Sequence, residues 1–101
     1  MNKFALISVS NKSKILKICR IFKKLGINIL ATGSTAKYIK KKGYNCKEVS
    51  KLTKFREMLD GRVKTLNPKI HASLLFKRNN KEHVNSFKEL KFPEIDFVIV
   101  N

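Results

Sequence analysis

Short runs of strand-like composition that alternate with amphipathic segments restrict the folds open to this chain more than any other feature. The runs cover residues 4–9 (FALISV), 27–31 (INILA), 44–49 (YNCKEV) and 95–100 (IDFVIV). Strands that are apolar on both faces and alternate with helices are typical of a parallel sheet with helices on both faces. The sequence therefore predicts an α/β fold with a parallel sheet, within the single domain that 101 residues allow.

Lysine-rich segments between these runs predict the helices. Residues 13–25 carry apolar side chains at helical spacing, with Ser10 or Ser13 as the expected N-cap and Gly26 as the expected C-terminal cap. Two further helices are predicted at about 35–42 and within 79–92. A short helical turn is predicted at 55–59, and the run at 70–76 fits either a helix or a strand. The inner face of the helix within 79–92 is expected to contain Val84, Phe87 and Leu90.

The formal net charge of +16 suggests an anionic partner without identifying it. Lysine outnumbers arginine by 19 to 4, and the lysines lie in every segment without interleaved aromatic residues. Surfaces that read nucleic acid usually rely on arginine. We therefore favour a compositional bias over a nucleic-acid function and predict no nucleic-acid partner, while anionic small ligands fit either interpretation.

The apolar runs also bear on membranes and on the cysteines. No run approaches the about 20 residues that a membrane-spanning helix needs, and residues 1–9 are too short for the apolar core of a signal peptide. These observations predict a cytoplasmic protein without a membrane partner. Cys19 and Cys46 lack the CxxC spacing of a metal site, so we expect two core thiols in a reducing compartment.

Two strand-to-helix turns place hydroxyl side chains at the start of a predicted helix. They are SNK at 10–12, after the first run, and TGST at 32–35, after the second. The free N–H groups and the dipole of a helix N-terminus attract anions, and Gly33 lets a ligand approach the backbone. Capping by serine and threonine explains either turn alone. Because two such turns are expected at the carboxyl ends of adjacent strands, an anion site and simple capping are equally supported.

The stretch DGRVKTLNPKIH at residues 60–71 has no continuous helical or strand period. Within RVKT, an alternation of two places Arg62 and Lys64 on one side and Val63 and Thr65 on the other. Two cations then face the same way, the arginine as a planar fork and the lysine as a point charge or, when desolvated, a proton donor. A solvated loop is the alternative, and composition alone does not decide between the two.

Four stretches of the chain closely resemble one enzyme family. They are SVSNK at 8–12, ATGST at 31–35, EVS at 48–50 and, above all, FREMLDGRVKTLNPKIHASLLFKR at 55–78. They resemble the N-terminal part of the bifunctional purine biosynthesis family PurH, which is an IMP cyclohydrolase domain with a methylglyoxal-synthase-like α/β fold. The resemblance extends over all 101 residues, and DGRVKTLNPKIH is its most specific part.

The resemblance implies a reaction and a site. The family closes the ring of 5-formamidoimidazole-4-carboxamide ribonucleotide (FAICAR) to IMP with loss of water, and it needs no cofactor and no metal. Lys64 is the implied catalytic residue, because the oxyanion that develops during closure needs a cation or a donor. The implied substrate-binding residues are Ser10, Asn11 and Lys12, then Thr32, Gly33, Ser34 and Thr35, then Arg62, Val63, Lys64 and Thr65, and finally Val100 and Asn101.

The chain departs from the family pattern in several places. The family usually has Asp, Gly and His where this chain has Asn11, Ser34 and Asn67. It also continues beyond Asn101 into further binding residues and a transformylase domain. We therefore expect residues 1–101 to be the N-terminal part of a single IMP cyclohydrolase domain, incomplete at its C-terminus and with weak or no activity alone.

Other functions are kept as alternatives. The same fold serves as a regulatory nucleotide-binding module in carbamoyl phosphate synthetase and as methylglyoxal synthase, but we do not expect RVKTLNPKIH in either. A nucleic-acid binder rests on the net charge alone. The resemblance also implies a homodimer, formed chiefly through the larger protein.

Overall fold

Four parallel strands form one sheet through the middle of the described molecule. The computed structural model describes residues 3–61 and 63–101. Within these ranges the strands are β1 (Lys3–Ser8), β2 (Asn28–Ala31), β3 (Lys47–Glu48) and β4 (Glu94–Val100). They pair in the order β3-β2-β1-β4, and every pair is parallel. The predicted α/β fold with a parallel sheet is confirmed.

Helices cover both faces of this sheet, as predicted. They are α1 (Ile15–Leu25), α2 (Gly33–Lys41), α3 (Val49–Thr53), α4 (Pro68–Leu75) and α5 (Lys81–Leu90). One buried cluster joins α1 and α2 to the sheet, and it includes Ile7, Cys19 and Ile39. A second cluster joins α3 and α4 to the opposite face, and it includes Leu30, Val49 and Ile70. No helix within the described ranges has both the length and the apolar composition that crossing a membrane requires.

Helix α1 ends as predicted but begins differently. Gly26 adopts a left-handed conformation with φ 71°, and its N–H bonds back to the last turn of the helix. The predicted N-cap, Ser10 or Ser13, is wrong, because Lys14 holds that position and makes no side-chain cap bond. Instead, Asn11 Oδ1 accepts the Ser13 N–H at 3.0 Å, so a side-chain turn precedes the helix.

The third strand is much shorter than the predicted 44–49. Only Lys47 and Glu48 pair with β2, because Val49 already starts α3 and is buried in the second cluster. The helical turn predicted at 55–59 is also wrong. The helical turn lies earlier, in α3, and ends at Lys54 in a left-handed conformation with φ 62°.

The ambiguous run 70–76 belongs to α4, because the start of this helix is well capped. Asn67 is the N-cap, and its Oδ1 accepts the Lys69 N–H at 3.0 Å. Pro68 occupies the first turn of the helix, where its missing N–H costs no helical hydrogen bond. Capping thus selects a helix for a run whose apolar pattern alone permits a strand.

Helix α5 buries one of the three side chains predicted for its inner face. Phe87 is buried and stacks on Phe76, with ring centroids 4.0 Å apart. Val84 is half-buried, and Leu90 is 53% exposed. The predicted inner face is therefore confirmed for Phe87 and wrong for Leu90.

Both cysteines belong to the side of the core that α1 and α2 cover. Cys19 is fully buried, and Cys46 is half-buried with its Sγ 3.6 Å from the Ala36 carbonyl oxygen. Burial raises the pKa of each thiol above the usual value for cysteine, so both side chains favour the neutral thiol over the thiolate. Among the described residues, no group of three or more His, Cys, Asp or Glu side chains is placed to hold a metal ion.

All four strands end at one edge of the sheet, which we call the carboxyl rim. The register pairs Ser8 with Val100 and Ala31 with Glu48, so the segments that follow the strands leave the sheet at one level. The carboxyl rim comprises residues 9–12, 32–35 and 100–101. Open α/β sheets bind their ligands at this edge.

Candidate functional site

Asn101 holds the first turn and the end of β4 together. Its Oδ1 accepts the backbone N–H of Ser10 at 2.9 Å and the Ser10 hydroxyl at 3.2 Å. Its Nδ2 donates to the Asn11 carbonyl oxygen at 2.8 Å. Val100 precedes it at the end of β4, with a mostly exposed side chain. Four of the predicted binding residues therefore meet here, although the first turn and the end of β4 are distant in the chain.

Two buried threonines join the second turn to the first. The Thr35 hydroxyl donates to the Val9 carbonyl oxygen at 3.1 Å and accepts the Val9 N–H at 3.3 Å. The Thr32 hydroxyl donates to the Ser8 hydroxyl oxygen at 3.0 Å. Thr35 thus fixes the second turn against Val9, just before the first turn, and Thr32 fixes it against the end of β1, whereas Ser34 is exposed at the carboxyl rim.

Replacing Thr35 with valine is expected to lower the free energy of unfolding by about 1–3 kcal/mol, because the valine leaves the buried Val9 N–H without a partner. Thr35→Ser keeps the hydroxyl and removes only a methyl group, so its loss should be smaller. Urea denaturation of both variants measures the difference. A valine variant as stable as the serine variant would show that the hydroxyl does not hold the turns together.

Lys12 brings a positive charge to the first turn. Its Nζ donates to the Val9 carbonyl oxygen at 2.8 Å and to the Ser10 carbonyl oxygen at 3.4 Å. The ammonium group therefore lies over the turn instead of extending into solvent. Because it carries three N–H donors, it can bond an anion and keep both of these contacts.

An acidic side chain that the sequence does not single out lies at the N-terminus of α2. The Glu57 carboxylate accepts a short hydrogen bond from the Gly33 N–H. Gly33 is the first residue of α2, where the helix dipole favours negative charge. A Cβ built on Gly33 would overlap the Glu57 carboxylate. A side chain at position 33 would therefore displace the Glu57 carboxylate from the helix N-terminus.

Within the described part of the RVKT segment, Val63 forms an isolated antiparallel bridge with Met58. Val63 and Met58 exchange two backbone hydrogen bonds of 2.9 and 3.2 Å. Val63 and Thr65 are half-buried and Lys64 is exposed, in agreement with the predicted alternation. Arg62 lies outside the described residues, so its placement beside Lys64 stays a prediction.

Lys64 and Glu57 both lie beside Gly61. A Cβ built on Gly61 would lie 3.3 Å from Glu57 Oε1 and 3.9 Å from Lys64 Nζ. The ammonium group therefore lies near the carboxylate that contacts Gly33. Glu57 is therefore a neighbour of both the Gly33 N–H and the predicted catalytic lysine.

Two larger clefts among the described residues lie at the opposite edge of the sheet. One, of about 450 Å³, is lined by residues at or just before the starts of the strands, including Asn28 and Tyr44. The other, of about 350 Å³, is lined partly by Phe92. A smaller cleft of about 170 Å³ borders Lys64. We select the carboxyl rim over the larger clefts, because the N-terminus of α2 and Lys12 lie there and because parallel sheets bind ligands at that edge.

Comparison with known proteins identifies the family. Residues 14–101 match the family model of the MGS-like domain. The chain is 50% identical to the bifunctional purine biosynthesis protein PurH of Fusobacterium nucleatum, 50% identical to that of Clostridium acetobutylicum and 48% identical to that of Acetivibrio thermocellus. Each match covers 100% of this chain and 20% of the relative. The chain thus spans about a fifth of the length of the curated relatives that it matches.

The crystal structure of ForH has the same fold. It superposes with a TM-score of 0.85 at 26% sequence identity, and the match covers 100% of this chain and 53% of ForH. The methylglyoxal-synthase-like fold expected from the sequence is confirmed, and the PurH relatives do not favour the regulatory-module alternative. The chain belongs to the MGS-like domain family and, within it, is similar to the N-terminal region of PurH.

Proposed function

We propose that this chain is the nucleotide-binding part of an IMP cyclohydrolase domain, which closes FAICAR to IMP in purine biosynthesis. The observation that carries the proposal is the identity of 45–50% with the PurH N-terminal region over all 101 residues. The geometry supports it, because the two turns and the end of β4 meet at the carboxyl rim with Lys64 close by. The resemblance extends the proposal to a homodimer of the whole protein.

In this proposal the phosphate of the nucleotide binds at the N-terminus of α2. The N–H groups of Gly33 and Ser34 lie in the first turn of that helix, where they have no acceptor within the helix. Lys12 contributes a positive charge from the neighbouring turn, and the Ser10 hydroxyl donates to the phosphate once it releases Asn101 Oδ1. These donors suit a phosphate dianion in both charge and geometry.

Ring closure joins the carboxamide nitrogen of FAICAR to its formyl carbon. Negative charge develops on the formyl oxygen as the new C–N bond forms. The carboxamide nitrogen and the formamide nitrogen each give up one proton, and the formyl oxygen leaves as water. We assign to Lys64 the stabilisation of that oxygen, because an ammonium group beside a developing oxyanion lowers the barrier and can supply a proton.

Titration of the folded chain with IMP by isothermal calorimetry tests the proposal. We expect saturable binding and a roughly tenfold loss of affinity in Lys12→Ala, which corresponds to one charge-assisted contact with the phosphate that IMP retains. Lys17→Ala removes the same charge from an exposed position on α1 and is the matched control, expected to bind as the wild type does.

Two results would contradict the proposal. One is the absence of saturable IMP binding in a sample shown to be folded, and the other is equal affinity in the wild type and Lys12→Ala. Binding to RNA that falls steeply with salt and is not competed by IMP would instead favour the nucleic-acid alternative.

A further inference from the structure

The Glu57 carboxylate engages a donor that the proposed phosphate site needs. It accepts the Gly33 N–H at the first residue of α2, in a hydrogen bond shorter than usual. We propose that Glu57 is an internal competitor of the nucleotide, and that phosphate binding displaces its carboxylate from the N-terminus of α2. The inference rests on the proposed function, because it places the phosphate at this helix end.

A phosphate and the Glu57 carboxylate cannot share the N–H of Gly33. The space that a Cβ would take at Gly33 is filled by the carboxylate, so the approach to this backbone is already occupied. Two anions held side by side also repel each other, most strongly where little water separates them. The carboxylate therefore has to leave before a phosphate oxygen can take its place.

The segment that carries Glu57, residues 54–61, is weakly held. Phe55, Met58 and Leu59 are 62%, 49% and 72% exposed, so little apolar surface anchors the segment. The backbone also adopts left-handed conformations at Lys54, Leu59 and Asp60, and residues other than glycine rarely adopt them. A segment with few buried apolar contacts opens at low cost, so nothing in its packing prevents Glu57 from leaving Gly33.

Displacement of Glu57 also changes the surroundings of Lys64. The carboxylate and the ammonium group both lie beside Gly61, and the backbones of Met58 and Val63 are hydrogen-bonded to each other. When the carboxylate leaves, Lys64 loses an acidic neighbour and can turn towards the substrate. Glu57 thus links occupation of the phosphate site to the placement of the proposed catalytic lysine.

The alternative role for Glu57 is that of a permanent cap of α2, with the phosphate bound elsewhere on the carboxyl rim. The two roles differ in the effect of neutralising the carboxylate. Removing a competitor strengthens nucleotide binding. Removing a permanent cap leaves nucleotide binding unchanged or weakens it.

Calorimetric titration of IMP into the wild type, Glu57→Gln and Glu89→Gln separates these roles. Glu89 is exposed on α5, and its replacement removes the same single negative charge far from Gly33 in the sequence. We expect Glu57→Gln to bind IMP roughly 5- to 50-fold more tightly than the wild type, which is a common size for coupling between sites. Glu89→Gln is expected to bind as the wild type does.

Each other outcome has a distinct meaning. Equal or weaker binding by Glu57→Gln, or an equal gain in affinity in both variants, overturns the inference and leaves the proposed function intact. The absence of IMP binding by all three proteins overturns both the inference and the proposed function. If Glu57→Gln does not fold, the wild type with ¹³C-labelled glutamate provides the test. Saturating IMP is expected to shift the carboxyl resonance of Glu57 and not that of Glu89, and an unshifted Glu57 resonance overturns the inference.

Discussion

Replacing Gly33 with alanine is expected to weaken IMP binding by roughly 10- to 100-fold, through the loss of one or two charge-assisted hydrogen bonds. The added Cβ would lie where an anion approaches the first N–H of α2, a position that the Glu57 carboxylate occupies. The fold should persist, because position 33 is helical and alanine is the better helix former by about 1 kcal/mol. Calorimetry measures the affinity, and urea denaturation checks the stability.

The double variant Gly33→Ala/Glu57→Gln shows what the Cβ obstructs. If the Cβ only expelled Glu57, Gly33→Ala would bind IMP at least as tightly as Glu57→Gln does. Because the Cβ is expected to obstruct the phosphate itself, both the single and the double variant should bind weakly. Wild-type affinity in folded Gly33→Ala would refute the placement of the phosphate at α2.

Replacing Ile7 with alanine is expected to lower the free energy of unfolding by about 3–5 kcal/mol, as large cavities in cores do. Ile7 is fully buried in β1, which pairs on both sides, and it belongs to the cluster that α1 and α2 cover. Domains of this size are typically stable by about 5–15 kcal/mol, so the variant should be close to unfolding. Urea denaturation followed by circular dichroism measures the loss.

Ile21→Ala is the matched control for this change. Ile21 is 55% exposed on α1, so the same truncation leaves no enclosed cavity, and we expect a loss below about 1 kcal/mol. Similar losses in the two variants would mean that the cluster around Ile7 is not the main source of stability.

The strands with continuous apolar runs could be predicted from the sequence to within one residue at each end. β3 could not, because Val49 is apolar and buried whether it ends a strand or starts a helix, and its contacts with Leu30 and Ile70 in the second cluster select the helix. The run 70–76 was ambiguous for a similar reason. The cap formed by Asn67 selects the helix there, and the spacing of apolar residues does not reveal such a cap.

The site could be predicted in part, because parallel strands deliver the segments that follow them to one edge. The direction of the hydroxyl groups could not be predicted: Thr35 faces inward to Val9, and this contact depends on how the two turns pack. Glu57 was missed because its partner, Gly33, lies 24 residues earlier and no motif connects them. The general reason to expect a carboxylate near Gly33 is that the positive end of a helix dipole attracts negative charge.

Amide chemical-shift mapping of IMP binding tests most directly whether the carboxyl rim is the nucleotide site. We expect the largest shifts at the amides of Ser10, Gly33 and Asn101, where the two turns meet the end of β4. Amides at the opposite edge, such as Asn28 and Tyr44, should remain unshifted, although they line the larger cleft. Largest shifts at Asn28 and Tyr44, or no shifts with saturating IMP, would contradict the assignment of the site to the carboxyl rim.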